Sequence, residues 1–151
     1  MSIGEVCNRE VVLARRGETV LKAAELMRTY HVGCLVVAED GADPAKPVGI
    51  VTDRDLVVEV IAERVAPENI TVGDVMSYEL VTAREEEGIW DVVQRMRSRG
   101  VRRLPIVKGD GALVGIVTMD DILELVSGEL SALAALTRRE HEREVAVRSR
   151  A

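Results

Sequence analysis

Gly49-Ile50-Val51-Thr52-Asp53-Arg54-Asp55 reads as the end of a buried strand followed at once by the start of a helix. The run from Val48 to Val51 is apolar and rich in β-branched residues, as a strand favours. Thr52 is then placed to cap a helix, with a carboxylate three residues on at Asp55. The same junction recurs as Gly115-Ile116-Val117-Thr118-Met119-Asp120-Asp121. A strand-to-helix junction written twice in a chain of 151 residues points to a duplicated fold.

Working outward, more of the chain repeats. Ile3-Gly4-Glu5-Val6-Cys7-Asn8 returns at an offset of 69 residues as Val72-Gly73-Asp74-Val75-Met76-Ser77. At the same offset Val12-Leu13-Ala14-Arg15 matches Val81-Thr82-Ala83-Arg84, Met27-Arg28 matches Met96-Arg97, and Val32 and Leu35 fall on Val101 and Leu104. At the junction itself the offset is 66, Gly115 against Gly49. The missing residues lie in a stretch rich in Gly, Pro and Asp, the signature of a surface loop.

Periodicity supplies the elements. Val20, Ala23, Ala24 and Met27, and again Ile89, Val92, Val93 and Met96, are spaced as one apolar helix face. Thr19 and Gly88 stand at the N-cap positions, and His31 and Gly100 at the left-handed helix stop. Cys34 to Ala38 and Leu104 to Val107 are too short for helices and read as strands. Leu56, Val57, Val60 and Ile61, and Ile122, Leu123 and Val126, form later helical stripes. The expected fold class is α+β: two tandem β-α-β-β-α repeats packed as a pseudo-two-fold pair, with a C-terminal helical tail. The expected boundaries are residues 1–66, 67–128 and 129–151. In the tail, Leu130, Leu133 and Leu136 extend the preceding helix, arginines and glutamates alternate beyond them, the first turns are expected to dock on the body, and the end to fray.

Composition excludes several functions. A formal net charge of −6 disfavours a nucleic-acid partner, whose phosphates need a basic face. With no Phe, one Trp and two Tyr there is little to stack on bases. No apolar run approaches the roughly 20 residues of a membrane span. The first residues carry no basic segment leading into an apolar stretch, so the expected location is the cytoplasm. Cys7 and Cys34 are too few for a disulfide framework or a zinc site; Cys34 reads as a small core residue and Cys7 as partly exposed.

The paired junctions carry the candidate chemistry. In the first reading, Thr52 and Thr118 cap their helices while Asp55 and Asp121 complement the helix dipole. In the second, the same groups meet a nucleotide: a helix N-terminus offers N–H groups to phosphate, a first-turn carboxylate accepts ribose hydroxyls, and Arg54 pairs with phosphate. Both readings can hold together. Met119-Asp120 replaces Asp53-Arg54 in the second copy, so Arg102 and Arg103 are expected to compensate, and the two clefts should differ.

The two Gly-Ile-Val-Thr-x-x-Asp segments, Val72 to Met76, His31-Val32-Gly33-Cys34-Leu35-Val36-Val37 and Gly100-Val101-Arg102-Arg103-Leu104-Pro105-Ile106-Val107 resemble tandem CBS domains, named after cystathionine β-synthase, a pair of which is called a Bateman module. The resemblance covers residues 3–128. It implies an adenosine-containing ligand between the repeats, with the motif Asp on ribose, the Thr near phosphate and apolar residues around adenine. On this chain it implies Thr52 and Asp55 for one cleft and Thr118 and Asp121 for the other. Val12, Val32 and Leu35, or Val81, Val101 and Leu104, are the implied adenine walls, and Arg54 and Arg103 complete the ligand set.

The resulting expectation is a regulatory sensor and not an enzyme. It needs no cofactor and binds AMP, ADP or ATP ahead of NAD or S-adenosylmethionine. The expected partners are a second copy in a homodimer and a regulated protein that the sequence does not name, with no nucleic acid and no membrane. The alternative is a ligand-free module for dimerisation. His31 and His141 read as helix-end or surface residues, and the Asp53/Asp55 and Asp120/Asp121 pairs as solvated helix-start acids rather than a cation site. The chain carries no Ser-His-Asp set, Walker lysine motif or His-Glu-x-x-His.

Overall fold

The computed structural model of the chain describes residues 1–149. It divides into a unit of Met1–Val117 and a second that begins at Thr118. In the first unit the repeat is plain in the element order. Strand β1 (Leu13–Arg15), helix α1 (Val20–Tyr30), β2 (Cys34–Ala38) and β3 (Pro47–Thr52) lead into a short helix α2 (Asp53–Asp55). After helix α3 (Val72–Val75), β4 (Ala83–Arg84), α4 (Ile89–Arg99), β5 (Arg103–Val107) and β6 (Leu113–Thr118) repeat the order. Each set of three strands is one sheet, β1-β2-β3 and β4-β5-β6. The first two strands of each run parallel, as a helical crossover demands, and β2 and β3 pair antiparallel as a hairpin.

The caps fall where the sequence places them. The Thr19 side chain accepts from the Lys22 N–H, and Gly88 is the N-cap of α4. His31 and Gly100 end α1 and α4 in the left-handed region, at φ 55° and 65°. Beyond α2 the chain does not continue as a regular α-helix: Leu56–Ile61 is π-helical, with Ala62 N–H reaching Val57 O and Val65 N–H reaching Val60 O. This wider winding buries Leu56 and Val60 but turns Val57, Val58 and Ile61 to solvent. The expected four-residue apolar stripe is therefore half exposed.

What joins the repeats is an exchange of lead-ins. Ile3 N–H donates to Glu87 O and Gly4 N–H to Glu85 O, and Asn8 forms a two-bond bridge with Ile116 of β6. Reciprocally, Val72 N–H donates to Glu18 O, Gly73 N–H to Arg16 O, and Ser77 N–H to Ile50 O of β3. Val72 and Met76 sit in the same core cluster as Val20, Leu35, Val51 and Val60 of the first repeat. Each such buried side chain contributes about 1.5–3 kcal/mol, so neither repeat has a complete core without the other's lead-in.

One ion pair fastens the second repeat. The Arg95 guanidinium grips both carboxylate oxygens of Glu87 and donates to Thr82 O at 2.8 Å. The hydrogen bonds from Arg95 hold the Glu87 carboxyl below its usual range near 4.5. Because the folded value is depressed, the stabilisation is present above about pH 4.5 and is lost as pH falls through the folded value. Glu87→Gln is expected to remove that acid-dependent part of the urea midpoint between about pH 5 and 3. The half-exposed setting limits the loss at neutral pH to about 1 kcal/mol or less.

In the second unit α5 (Met119–Arg148) is one helix of 30 residues, running without a break past residue 128. Leu130, Leu133 and Leu136 are all more than 60% exposed. The expected fraying end extends to residues 150 and 151, which lie outside the described residues. Among the described residues no helix is long and apolar enough to cross a membrane.

Candidate functional site

Thr52 closes β3 and caps α2. Its backbone N–H donates to Asp55 Oδ2 at 2.7 Å and its hydroxyl to the same oxygen at 2.8 Å, while the Asp55 N–H donates back to Thr52 Oγ1 at 3.2 Å. The carboxylate is thus fixed through Oδ2 alone, and Oδ1 makes no hydrogen bond among the described residues. Capping and ligand binding need not compete, because they call on different oxygens.

The helix start is less open than the sequence suggests. Asp53 N–H donates to Gly33 O at 3.1 Å, Arg54 N–H to Asp53 Oδ1 at 2.8 Å, and Asp55 N–H to Thr52. All three first-turn donors have acceptors, and α2 is only three residues long. The expectation that backbone donors here hold a phosphate is corrected. Any anion at this place must be met by side chains.

Those side chains are present. Thr52, Asp53, Arg54 and Asp55 line a cavity of about 430 Å³. Its opposite wall comes from the second repeat, with Val81, Val101, Arg102 and Arg103. The Ser77–Ile50 bridge places the segment 77–81 against β3, and Arg103 Nη1 donates to Gly33 O at 3.3 Å across the repeats. Arg102 and Arg103 therefore join Arg54 in the first cavity. Glu79 and Leu80, which the sequence reading did not single out, line it too. The signal was there, since both lie in the exchanged lead-in, but only the exchange reveals where that segment goes.

Of the other expected residues, Val12 and Val32 line a separate cavity of about 580 Å³ with Leu26 and Tyr30. Leu35 and Leu104 do not line either cavity: both are fully buried. Leu35 belongs to the core cluster, while Val32, which precedes the strand, lines the cavity. The assignment of these two leucines as adenine walls is corrected on that ground. Thr118 and Asp121, in the second unit, form a box matching the first, with Thr118 N–H and Oγ1 each donating to Asp121 Oδ2 at 2.7 Å.

A third box shows what the motif alone is worth. Thr71 N–H and Oγ1 donate to Asp74 Oδ2 at 2.9 and 2.7 Å, at an exposed place. There the hydroxyl bond, aided by the backbone bond, holds the Asp74 carboxyl below the usual carboxylate range. The box is a folding device wherever it occurs; the cavity is what distinguishes Thr52 and Asp55. Among the described residues no three His, Cys, Asp or Glu side chains converge as a metal site would require.

Comparison with known proteins agrees with this architecture. The CBS domain family model matches residues 3–62 and 72–128. An uncharacterised protein of Methanopyrus kandleri is 38% identical over 125 residues, covering 83% of this chain, which itself spans only 62% of that relative's length. The CBS domain-containing protein YhcV of Bacillus subtilis is 33% identical over 141 residues, 93% of this chain and 96% of its own. Among solved structures, a CBS domain pair in complex with 5′-methylthioadenosine and S-adenosyl-L-methionine shares the fold at a TM-score of 0.74 and 23% identity, over 85% of this chain and 98% of that one.

Proposed function

The chain belongs to the CBS domain family, and from that premise we propose that it is a regulatory module that binds an adenine nucleotide at Thr52 and Asp55 without turning it over. One observation carries the reading: Asp55 is held by its own cap through Oδ2, makes no hydrogen bond through Oδ1 among the described residues, and lines a cavity of about 430 Å³. A carboxylate so fixed accepts a ribose hydroxyl with no ordering cost of its own. Val81 and Val101 flank the adenine, and Arg54 and Arg103 meet phosphate. A cavity of this size lies within the range of small-ligand sites. The solved pair that holds adenosyl compounds shares this fold, which supports the ligand class.

The cavity is assigned recognition and no chemistry. The ligand acts by favouring one conformation or assembly over another, which requires different affinities for the two. Val57, Val58 and Ile61, exposed on the π-helical turn, are the face on which a second copy packs in this reading.

Melting the protein with AMP, ADP, ATP, NAD or S-adenosylmethionine tests the proposal. At about a hundred times its dissociation constant, the bound ligand is expected to raise the melting temperature by roughly 5–10 °C. No shift with any of the five at millimolar concentration would leave the chain a ligand-free interaction module.

A further inference from the structure

The cavity at Thr52 and Asp55 shares Ser77, Glu79, Leu80, Val81 and Val101 with an adjoining cavity of about 530 Å³, and the two adjoining cavities together are called the cleft. The adjoining cavity also has a sibling. Its lining residues Ser77, Glu79, Leu80 and Val81 correspond, at the 69-residue offset of the repeat, to Asn8, Glu10, Val11 and Val12. Thr82, Arg95, Arg99 and Val101 correspond likewise to Leu13, Leu26, Tyr30 and Val32. The two cavities are therefore the same place in each repeat, and their differences are substitutions within one frame.

Two of those differences change charge. Leu26 and Tyr30 stand where the second repeat has Arg95 and Arg99. The remaining arginines of the cleft, Arg54, Arg102 and Arg103, have Asp120, Gly33 and Cys34 as their sequence counterparts. None of the cleft's five arginines has a cation at its counterpart position in the sequence, while the acid Glu79 has its equivalent in Glu10. Arg95 is bound to Glu87 and Thr82 O, which anchors that end of the cleft. Arg99, one turn further along α4, is exposed and has no ion-pair partner among the described residues. The sibling cavity has no lysine or arginine and carries the single aromatic ring found in either wall, Tyr30.

We infer that the sibling cavities have diverged in the charge of what they take: the cleft from Asp55 to Arg99 holds a nucleoside carrying two or more phosphates, and the Val12–Val32 cavity holds an uncharged nucleoside against Tyr30. The inference rests on the nucleotide reading above and goes beyond it by setting ligand charge cavity by cavity. Phosphate bound by guanidinium gains charge-assisted, directional bonds, whereas a phosphate beside Glu10 with no cation meets only repulsion and lost hydration. Selectivity therefore follows from the absence of cations in one cavity as much as from their presence in the other.

Titration calorimetry with adenosine, AMP, ADP, ATP and inorganic triphosphate, on the wild type and on Arg99→Ala and Tyr30→Arg, tests this. In the wild type, affinity at the cleft is expected to climb from AMP to ATP by about tenfold per phosphate that finds an arginine, and to weaken with added salt. Inorganic triphosphate is expected to bind too, weakly. Arg99→Ala should lower ATP and triphosphate affinity by about tenfold and leave adenosine unchanged. Tyr30→Arg should abolish the adenosine heat at the sibling cavity while ATP still binds the cleft. Equal affinity of the cleft for adenosine and ATP in Tyr30→Arg, indifference of the phosphate series to Arg99→Ala, or loss of ATP binding in Tyr30→Arg would each overturn the inference. If adenosine binds but phosphates add nothing, the charge assignment fails and the nucleoside site stands; if neither binds, both fall.

Discussion

Gly115→Val is expected to lower the stability of the fold by about 2–3 kcal/mol, read as a fall in the urea midpoint. A Cβ built on Gly115 meets Asn8 O at 2.6 Å and Cys7 Sγ at 2.7 Å. That carbonyl is the acceptor for Ile116 N–H at 2.8 Å, in the bridge by which the first lead-in crosses to the second repeat. A side chain at Gly115 must therefore push the lead-in off the strand and break both bonds of the bridge. Gly49 is its counterpart, where a Cβ meets Met76 Sδ at 2.7 Å and Ser77 O at 2.9 Å. Gly109→Ala is the control, since nothing lies within 4 Å of the added atom. If Gly115→Val melts in urea like Gly109→Ala, the exchanged lead-ins are not what joins the repeats.

The second large effect separates folding from recognition at one residue. Asp55→Ala removes the cap acceptor and the open oxygen together. It is expected to cost about 1 kcal/mol of stability and to abolish measurable nucleotide binding at the cleft. Asp55→Asn keeps an acceptor for the Thr52 N–H and hydroxyl, so its stability should stay within about 0.5 kcal/mol of the wild type. It loses the charge that strengthens the ribose bond, and its affinity for ATP should fall about tenfold or more. Urea denaturation and calorimetry on the same two variants read both quantities. Wild-type ATP affinity in Asp55→Asn would mean that the carboxylate serves only its own backbone.

The features legible in the sequence are those set by local physics. Thr52, Thr118 and Thr19 cap helices because a side-chain oxygen two or three residues from an unsatisfied N–H is a local arrangement. The left-handed ends at His31 and Gly100 follow from where the apolar period stops. The lead-in exchange was not legible, because Ile3 and Val72 reach partners more than forty residues away and no local pattern records which repeat they join. Glycines 49 and 115 were read as parts of strands, while their necessity lies in a backbone that approaches from the other repeat. The burial of Leu35 and Leu104 away from the cavities is not legible, because a strand buried on both faces is apolar throughout, and alternation then cannot say which side meets a cavity. Arg95 and Arg99 look like ordinary charges of a helix's solvent face until the cleft beside them is seen. The phosphate site expected at the start of α2 failed for a different reason: its three N–H groups are already taken by Gly33, Asp53 and Thr52, and two of those acceptors arise only from the precise loop geometry.

A crystal structure of the protein with ATP is the most direct measurement of the central claim. Ribose hydroxyl density is expected within hydrogen-bond distance of Asp55 Oδ1, with the adenine between Val81 and Val101 and the phosphates directed toward Arg54 and Arg103 and on to Arg99. ATP bound elsewhere on the chain, with Asp55 Oδ1 in contact only with solvent, would contradict it.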